Sequence, residues 1–224
     1  MKEEIIQKVW DYLESKKIDE PVFSDRIKSQ LSDSYQGVLN LFVPWGPKYN
    51  YVEKGITVGL PEKQTIAELK CLVDFFKENN YKPNLFLMFA DSYGTEINSL
   101  PVDVVKGYFS NLEKYVGDSL DCKPLWWSKI KDSKRYFELK NDVEKNFFDY
   151  VDKDVYEDNL MTAKKFKGGA DSAKIYSLER VTEGLLIEEL YSPIKLSLVK
   201  KEKDALDGPL KRLYVIESRK PWMR

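Results

Sequence analysis

The sequence predicts an α/β fold, a mostly parallel central sheet with helices on both faces. Two short apolar runs, Gly37–Val43 (GVLNLFV) and Asn84–Ala90 (NLFLMFA), flank an amphipathic stretch from Lys63 to Asn79. A strand, a helix and a strand in that spacing imply parallel strands joined by a right-handed crossover. A further helical stretch, Pro101–Gly117, follows the second run. Sheets built this way bury both faces under helices.

The chain opens with apolar residues at Ile5, Ile6, Val9, Trp10 and Leu13, a helical stripe within residues 1–17. Ser24 or Asp25 caps a second short helix through Leu31. This N-terminal part, residues 1–36, is expected to pack on the α/β body. The first apolar run meets Pro44-Trp45-Gly46-Pro47, which is expected to stop it as a strand. Pro61 stands just before the Lys63–Asn79 helix, whose stripe is Ile66, Leu69, Leu72, Val73 and Phe76. Asn80-Tyr81-Lys82-Pro83 reads as a turn. Asn84–Ala90 is the most apolar segment and reads as a central strand, ended by Asp91-Ser92-Tyr93-Gly94. Cys122–Trp127 is a third strand.

Residues 133–165 are charged and aromatic and read as one or two helices. After Lys167-Gly168-Gly169, Asp171 or Ser172 caps a helix to about Leu190. Pro193–Val199 and Lys211–Glu217 alternate like strands, with Asp207-Gly208-Pro209 between them. No repeat, low-complexity tract or long linker divides the chain, so residues 1–224 read as a single domain.

Composition narrows the function. Hydrophobic residues make up 42% and charged residues 33% of 224, a globular balance, and the net charge is −1. Nothing global draws such a chain to nucleic acid or an anionic membrane. No apolar run reaches the roughly 20 residues of a membrane span. The first residues lack the apolar core of a signal peptide, and the expectation is a cytoplasmic protein. Cys71 and Cys122 read as two buried free thiols in a reducing compartment. Histidine is absent. That excludes Ser-His-Asp and Cys-His catalysis and His-ligated zinc. Acid–base chemistry then falls to Asp, Glu, Lys, Tyr or Cys.

Ligands of open α/β sheets bind beyond the carboxyl ends of the strands. Here residues 44–59 and 91–100 leave those ends and are expected to meet. The first offers Trp45 as a stacking face, Lys48 as a cation or an amine nucleophile, Tyr49, and Asn50 as an amide. A surface lysine on a proline-stiffened loop is the plainer alternative. The second offers Asp91, Tyr93 and Glu96, with either carboxylate as base and a turn or capping role as the alternative. Tyr176, Arg180 and Glu183 share one helix face. There Arg180 clamps an anion or makes an ordinary surface pair with Glu183. Lys195 and Ser197 share one strand face, toward the site or toward solvent. The Gly168-Gly169 pair is a phosphate-loop candidate or a plain hinge. The glycine-rich and zinc-protease motifs of well-known enzyme classes are missing.

These segments resemble, in order, the isonitrile (isocyanide) synthases of the pyoverdine and dityrosine biosynthesis type. The likeness covers about 42–116 and 174–222. It rests on VPWGPK, GLPE, AELKCL, Tyr81-Lys82-Pro83 and the strand ending in Asp91. YSLERVTEGLL, SPIKLSLV and SRKPW follow. Where the family closes on Pro-Trp-His, this chain has Pro221-Trp222-Met223. The resemblance implies a Rossmann-like three-layer fold and a biosynthetic enzyme of secondary metabolism without metal or other cofactor. Its partners would be small molecules. The α-amine of tyrosine or tryptophan becomes an isonitrile, with ribulose 5-phosphate supplying the carbon. The tRNA-dependent cyclodipeptide synthases are a second, weaker likeness, with a Tyr-x-x-x-Glu helix against Tyr176 and Arg180 here. Under that reading the chain transfers aminoacyl groups from tRNA. A non-catalytic small-molecule-binding domain is the third reading, because no catalytic motif is complete.

Overall fold

The computed structural model describes residues 2–15, 24–47, 55–97, 100–151, 153–163, 169–200 and 211–216. Helices α1 (Lys2–Ser15) and α2 (Ser24–Asp33) lead into strand β1 (Val38–Trp45). Helix α3 (Leu60–Glu78), β2 (Lys82–Phe89), α4 (Val102–Ser119) and β3 (Lys123–Trp126) follow. Next come α5 (Trp127–Ile130), α6 (Lys134–Lys145), α7 (Phe147–Tyr150), α8 (Lys153–Ala163) and α9 (Gly169–Tyr191). The chain then forms β4 (Ile194–Lys200) and β5 (Lys211–Ile216). It groups into two compact units. One holds Met1–Trp127 and Pro193–Glu217; the other is built around Ser128–Ser192. Among the described residues no helix is long and apolar enough to cross a membrane.

The sheet has the order β3-β2-β1-β4-β5. Strands β1 to β4 are parallel, and β5 runs antiparallel on the edge beside β4. The expected βαβ unit is present: β1 and β2 pair along their full length, Val38 with Lys82 through Trp45 with Phe89, and α3 connects them. Helices α3 and α4 carry the chain stepwise to one side of β1. The chain later returns to pair β4 on the other side, Leu41 with Ile194 and Phe42 with Lys195. The strand order therefore reverses at β1. Such a switch point opens a crevice beyond the carboxyl end of its strand.

Alternation assigns the faces. Leu39, Leu41, Val43 and Trp45 of β1 share a core with Leu85, Leu87 and Phe89 of β2 and with Ile194 and Leu196 of β4. Helices α1 to α4 close this face with Val9, Trp10, Leu13, Ile27, Leu31, the expected α3 stripe, and Val105, Phe109 and Leu112. Each such side chain contributes about 1.5–3 kcal/mol when fully buried. The opposite face carries Phe42, Phe86, Met88 and Lys195, all buried as well. Burial on both faces is why the strands read as continuous apolar runs.

Helix α3 ends as the turn signal required. Asn80 adopts φ 66°, the left-handed conformation that Asn tolerates better than most residues. The Asn80 N–H donates to the Lys77 carbonyl at 3.2 Å and the Tyr81 N–H to the Phe76 carbonyl at 3.0 Å. The Tyr81 ring meets Phe76 edge-on, 5.7 Å between centroids. This pair of bonds with its apolar contact is the Schellman arrangement.

Four expectations about elements need correction. Strand β1 does not stop before Pro44 but runs through Trp45. Proline lacks an N–H for a ladder, and the recorded β1–β4 pairing ends at Phe42, so Pro44 faces β2 alone. Asp91–Gly94 is not an open turn. Asp91 and Ser92 begin a helical turn that widens into a π-helical turn over Tyr93–Ile97. The described residues of 133–165 form three helices rather than one or two, because Asn146 ends α6 and α7 restarts beside it. Ser133 caps α6, accepting from the Tyr136 N–H at 3.2 Å. Cys71 is exposed rather than buried, since it lies off the α3 stripe on the outer side of the helix. Cys122 is half-buried, and burial, with Asp121 and Glu113 nearby, pushes its thiol up to about 11.

In the second unit, α6 and α8 pack on α9. Val143, Phe147, Val151, Leu178 and Val181 form its small core. Arg135 of α6 forks onto Glu189 of α9, with Nη2 to Oε2 at 2.7 Å and Nε to Oε1 at 2.9 Å.

Candidate functional site

The carboxyl ends of β1 and β2 are held together. The Ala90 N–H donates to the Trp45 carbonyl at 2.9 Å, continuing the ladder past both strands. Gly94 lies so close to the β1 exit that a Cβ there would stand 3.0 Å from Pro47 Cγ and 3.0 Å from a Val105 methyl. Pro47, just past β1, and Gly94, just past β2, therefore meet at the switch point. Gly94 is needed for this close approach.

The turn after β2 is closed by the Gly94 N–H to the Ala90 carbonyl at 3.3 Å and the Leu100 N–H to the Gly94 carbonyl at 2.9 Å. Thr95 Oγ1 donates back to the Asp91 and Ser92 carbonyls at 3.4 and 3.3 Å. Asp91 is half-buried, Ser92 and Tyr93 are buried, and Glu96 is exposed. A π-turn forfeits the regular ladder and recurs at functional sites, where it re-aims side chains.

Below this rim is a polar relay that the sequence did not signal. Trp45 Nε1 donates to Tyr108 Oη at 2.9 Å, and Tyr108 Oη donates to Glu62 Oε1 at 3.2 Å. Glu62 Oε2 accepts the Gly59 N–H at 3.0 Å, which caps α3. Gly59 has no side chain, so only the acid's half of a capping box exists. All three side chains are buried. Burial, then the Glu62 charge, drives the Tyr108 phenol well above its usual range, so it stays a neutral donor. Only the GLPE turn hinted at Glu62; Tyr108 sits on an apolar helix face and gave no signal.

The relay corrects the reading of Trp45. Its ring has no exposed surface and belongs to the core, so it offers no stacking face. Lys195 is neither at a solvent face nor isolated: it is 2% exposed, with Nζ 5.6 Å from the Phe42 ring centroid. Beside Phe42 on that face, Asn84 Nδ2 donates to Asn40 Oδ1 at 2.8 Å. Lys48, Tyr49, Asn50 and Gly168 lie outside the described residues, as does the Ser197 side chain.

Helix α9 in the second unit carries the other expected residues. Arg180 Nη1 donates to Glu183 Oε2 at 2.7 Å. The pair is 11% and 1% exposed, which replaces the surface pair of the plainer alternative by a buried one. Tyr176 is half-buried. One turn away, Glu179 Oε1 accepts from Tyr136 Oη at 2.6 Å and Lys140 Nζ at 2.7 Å.

No protein-family model and no curated protein matches the sequence. Solved structures match in fold. The PvcA protein from Pseudomonas aeruginosa gives a TM-score of 0.53 at 11% identity, over 98% of this chain and 86% of that one. Tyrosyl-tRNA synthetase from Aeropyrum pernix gives 0.54 at 9% identity, over 92% and 68%. At such identities the likeness speaks to architecture alone, and this chain shares with both proteins a Rossmann-like α/β fold.

Proposed function

We propose that this chain is a biosynthetic enzyme of the isonitrile synthase type. It joins the amine of a tyrosine- or tryptophan-like amino acid to the carbonyl of a sugar phosphate such as ribulose 5-phosphate. The observation that carries the reading is the meeting of Pro47 with the Asp91–Gly94 turn at the sheet's switch point. The sequence segments that resemble the isonitrile synthases include both of these, and the PvcA protein is among the fold's neighbours.

The chemistry asks for a neutral amine next to a ketone. The nitrogen lone pair attacks the carbonyl carbon, the oxygen takes a proton, and loss of water leaves an imine. Asp91, half-buried at the strand end, takes the ammonium proton, with Glu96 at the exposed end of the same turn as the other carboxylate. Lys48 and Asn50 hold the sugar phosphate. Tyr93 backs the turn, and Lys195 adds a cation within the same unit. On α9 of the other unit, Arg180, with Tyr176 and Glu183, is an anion ligand. The resemblance asks for no metal or cofactor.

The assay incubates pure protein with tyrosine or tryptophan and ribulose 5-phosphate and looks for an isonitrile by mass. A product supports the reading. A second reading, aminoacyl transfer from charged tRNA, draws on the tyrosyl-tRNA synthetase fold. Transfer without isonitrile would replace the first reading with it.

A further inference from the structure

Helix α9 holds a hydroxyl with no visible task in the fold. Ser177 is fully buried, and among the described residues no group bonds its Oγ. An unmade hydrogen bond at a buried hydroxyl costs stability. Helical serines and threonines usually avoid that cost by donating to the carbonyl four residues back. Other described residues of this chain do so. Thr65 Oγ1 donates to the Pro61 carbonyl and Thr182 Oγ1 to the Leu178 carbonyl, both at 2.8 Å. Thr182 lies on the same helix. Ser177 has the same option toward Ala173 and does not take it.

Its position suggests what it serves. Ser177 precedes Arg180 by three residues, so their side chains neighbour each other on the helix surface. Arg180 is anchored by Glu183, its guanidinium held at a fixed place in a buried setting. A fixed guanidinium matches carboxylate and phosphate geometry. A neutral O–H beside it adds a further donor to the same oxyanion without adding charge.

We infer that Ser177 is a ligand-binding hydroxyl that, with Arg180, holds an oxyanion of the substrate, a phosphate monoester or an amino-acid carboxylate. This rests on the anion role given to Arg180 above and extends it to Ser177, to which the sequence reading gave no role.

The test melts the full chain as wild type, Ser177→Ala and Arg180→Gln, with and without millimolar ribulose 5-phosphate, inorganic phosphate or L-tyrosine. Wild type is expected to be stabilised by the phosphates or by tyrosine, which identifies the source of the anion. Ser177→Ala alone melts at or above wild type, because no bond is lost, while its affinity for the same probe falls on the order of tenfold. If Ser177→Ala melts below wild type, the hydroxyl is bonded within the fold and the inference is wrong. It is equally wrong if Ser177→Ala binds the probe as wild type does. In that case a lost response in Arg180→Gln still leaves the anion role of Arg180 standing. If wild type responds to none of the probes, both fall. Should Arg180→Gln fail to fold because Glu183 loses its cation, Arg180→Lys takes its place.

Discussion

At the residue scale, burial decides roles that residue type leaves open. Trp45, on a proline-rich exit from a strand, looks like a ligand platform, yet its indole N–H is committed to Tyr108. Tyr108 serves both neighbours, accepting from Trp45 and donating to Glu62. Tyr108→Phe therefore leaves a buried indole N–H without its acceptor and a buried carboxylate without one donor. The expected loss is about 1–3 kcal/mol, read by urea unfolding, and the variant remains folded. A loss below a few tenths would mean that the relay relaxes onto other partners. Asp91 presents the opposite case. Asp91→Asn keeps size and shape but cannot take a proton, so turnover in the isonitrile assay is expected to fall by roughly 10²–10⁴-fold. The melting temperature should stay near that of wild type, and full activity in this variant would move the base elsewhere.

Local chemistry governs the elements, and there the sequence was largely legible. Apolar runs placed β1 and β2, and the helical stripe placed α3, because each is a short-range pattern set by one buried face. What was missed needs neighbours. The π-helical turn after β2 depends on Gly94 fitting against Pro47, a contact between segments far apart in sequence. The persistence of β1 through Pro44 depends on which flank of the strand is paired. The candidate site was legible as two strand ends, whereas Glu62, Tyr108 and Ser177 are ordinary core-face residues until packing is known. The α3 cap is a local signal that can be tested. Asn80 occupies the left-handed region at φ 66°. Asn80→Ala is expected to destabilise by about 1 kcal/mol, and Asn80→Gly to be neutral or slightly stabilising. Equal melting temperatures for the two variants would contradict the assigned conformation.

For the whole molecule, proton binding links packing to pH. Burial raises the Cys122 thiol to about 11 and, with Tyr35 beside it, the Tyr81 phenol to about 12. Each group keeps its proton in the folded state at a pH where the unfolded chain has released it. The unfolded state then binds fewer protons, so stability falls as pH rises. The window opens near the ordinary thiol value of about 8.5 and extends to about 11 for Cys122, then to about 12 for Tyr81. Melting temperature should decline from pH 8.5 to 11, and Cys122→Ala should decline less steeply. An identical slope in that variant would assign the effect to other groups.

The sheet order also fixes when the protein can be finished. A ribosome releases β1, β2 and β3 in succession, with the helices that cover one face, long before it releases β4. Until then β1 shows an open edge at Leu41 and Phe42, the positions that later pair with Ile194 and Lys195. An apolar edge of that kind templates wrong pairings between nascent chains. A fragment of residues 1–127 should therefore acquire helical signal yet self-associate. Supplying a peptide of residues 193–217 in trans should suppress that association, because it provides the missing neighbour for β1 and, through β5, a partner for the new edge. Light scattering of the fragment with and without the peptide reads the outcome. A fragment that stays monomeric alone would show that the open edge is harmless while synthesis is completed.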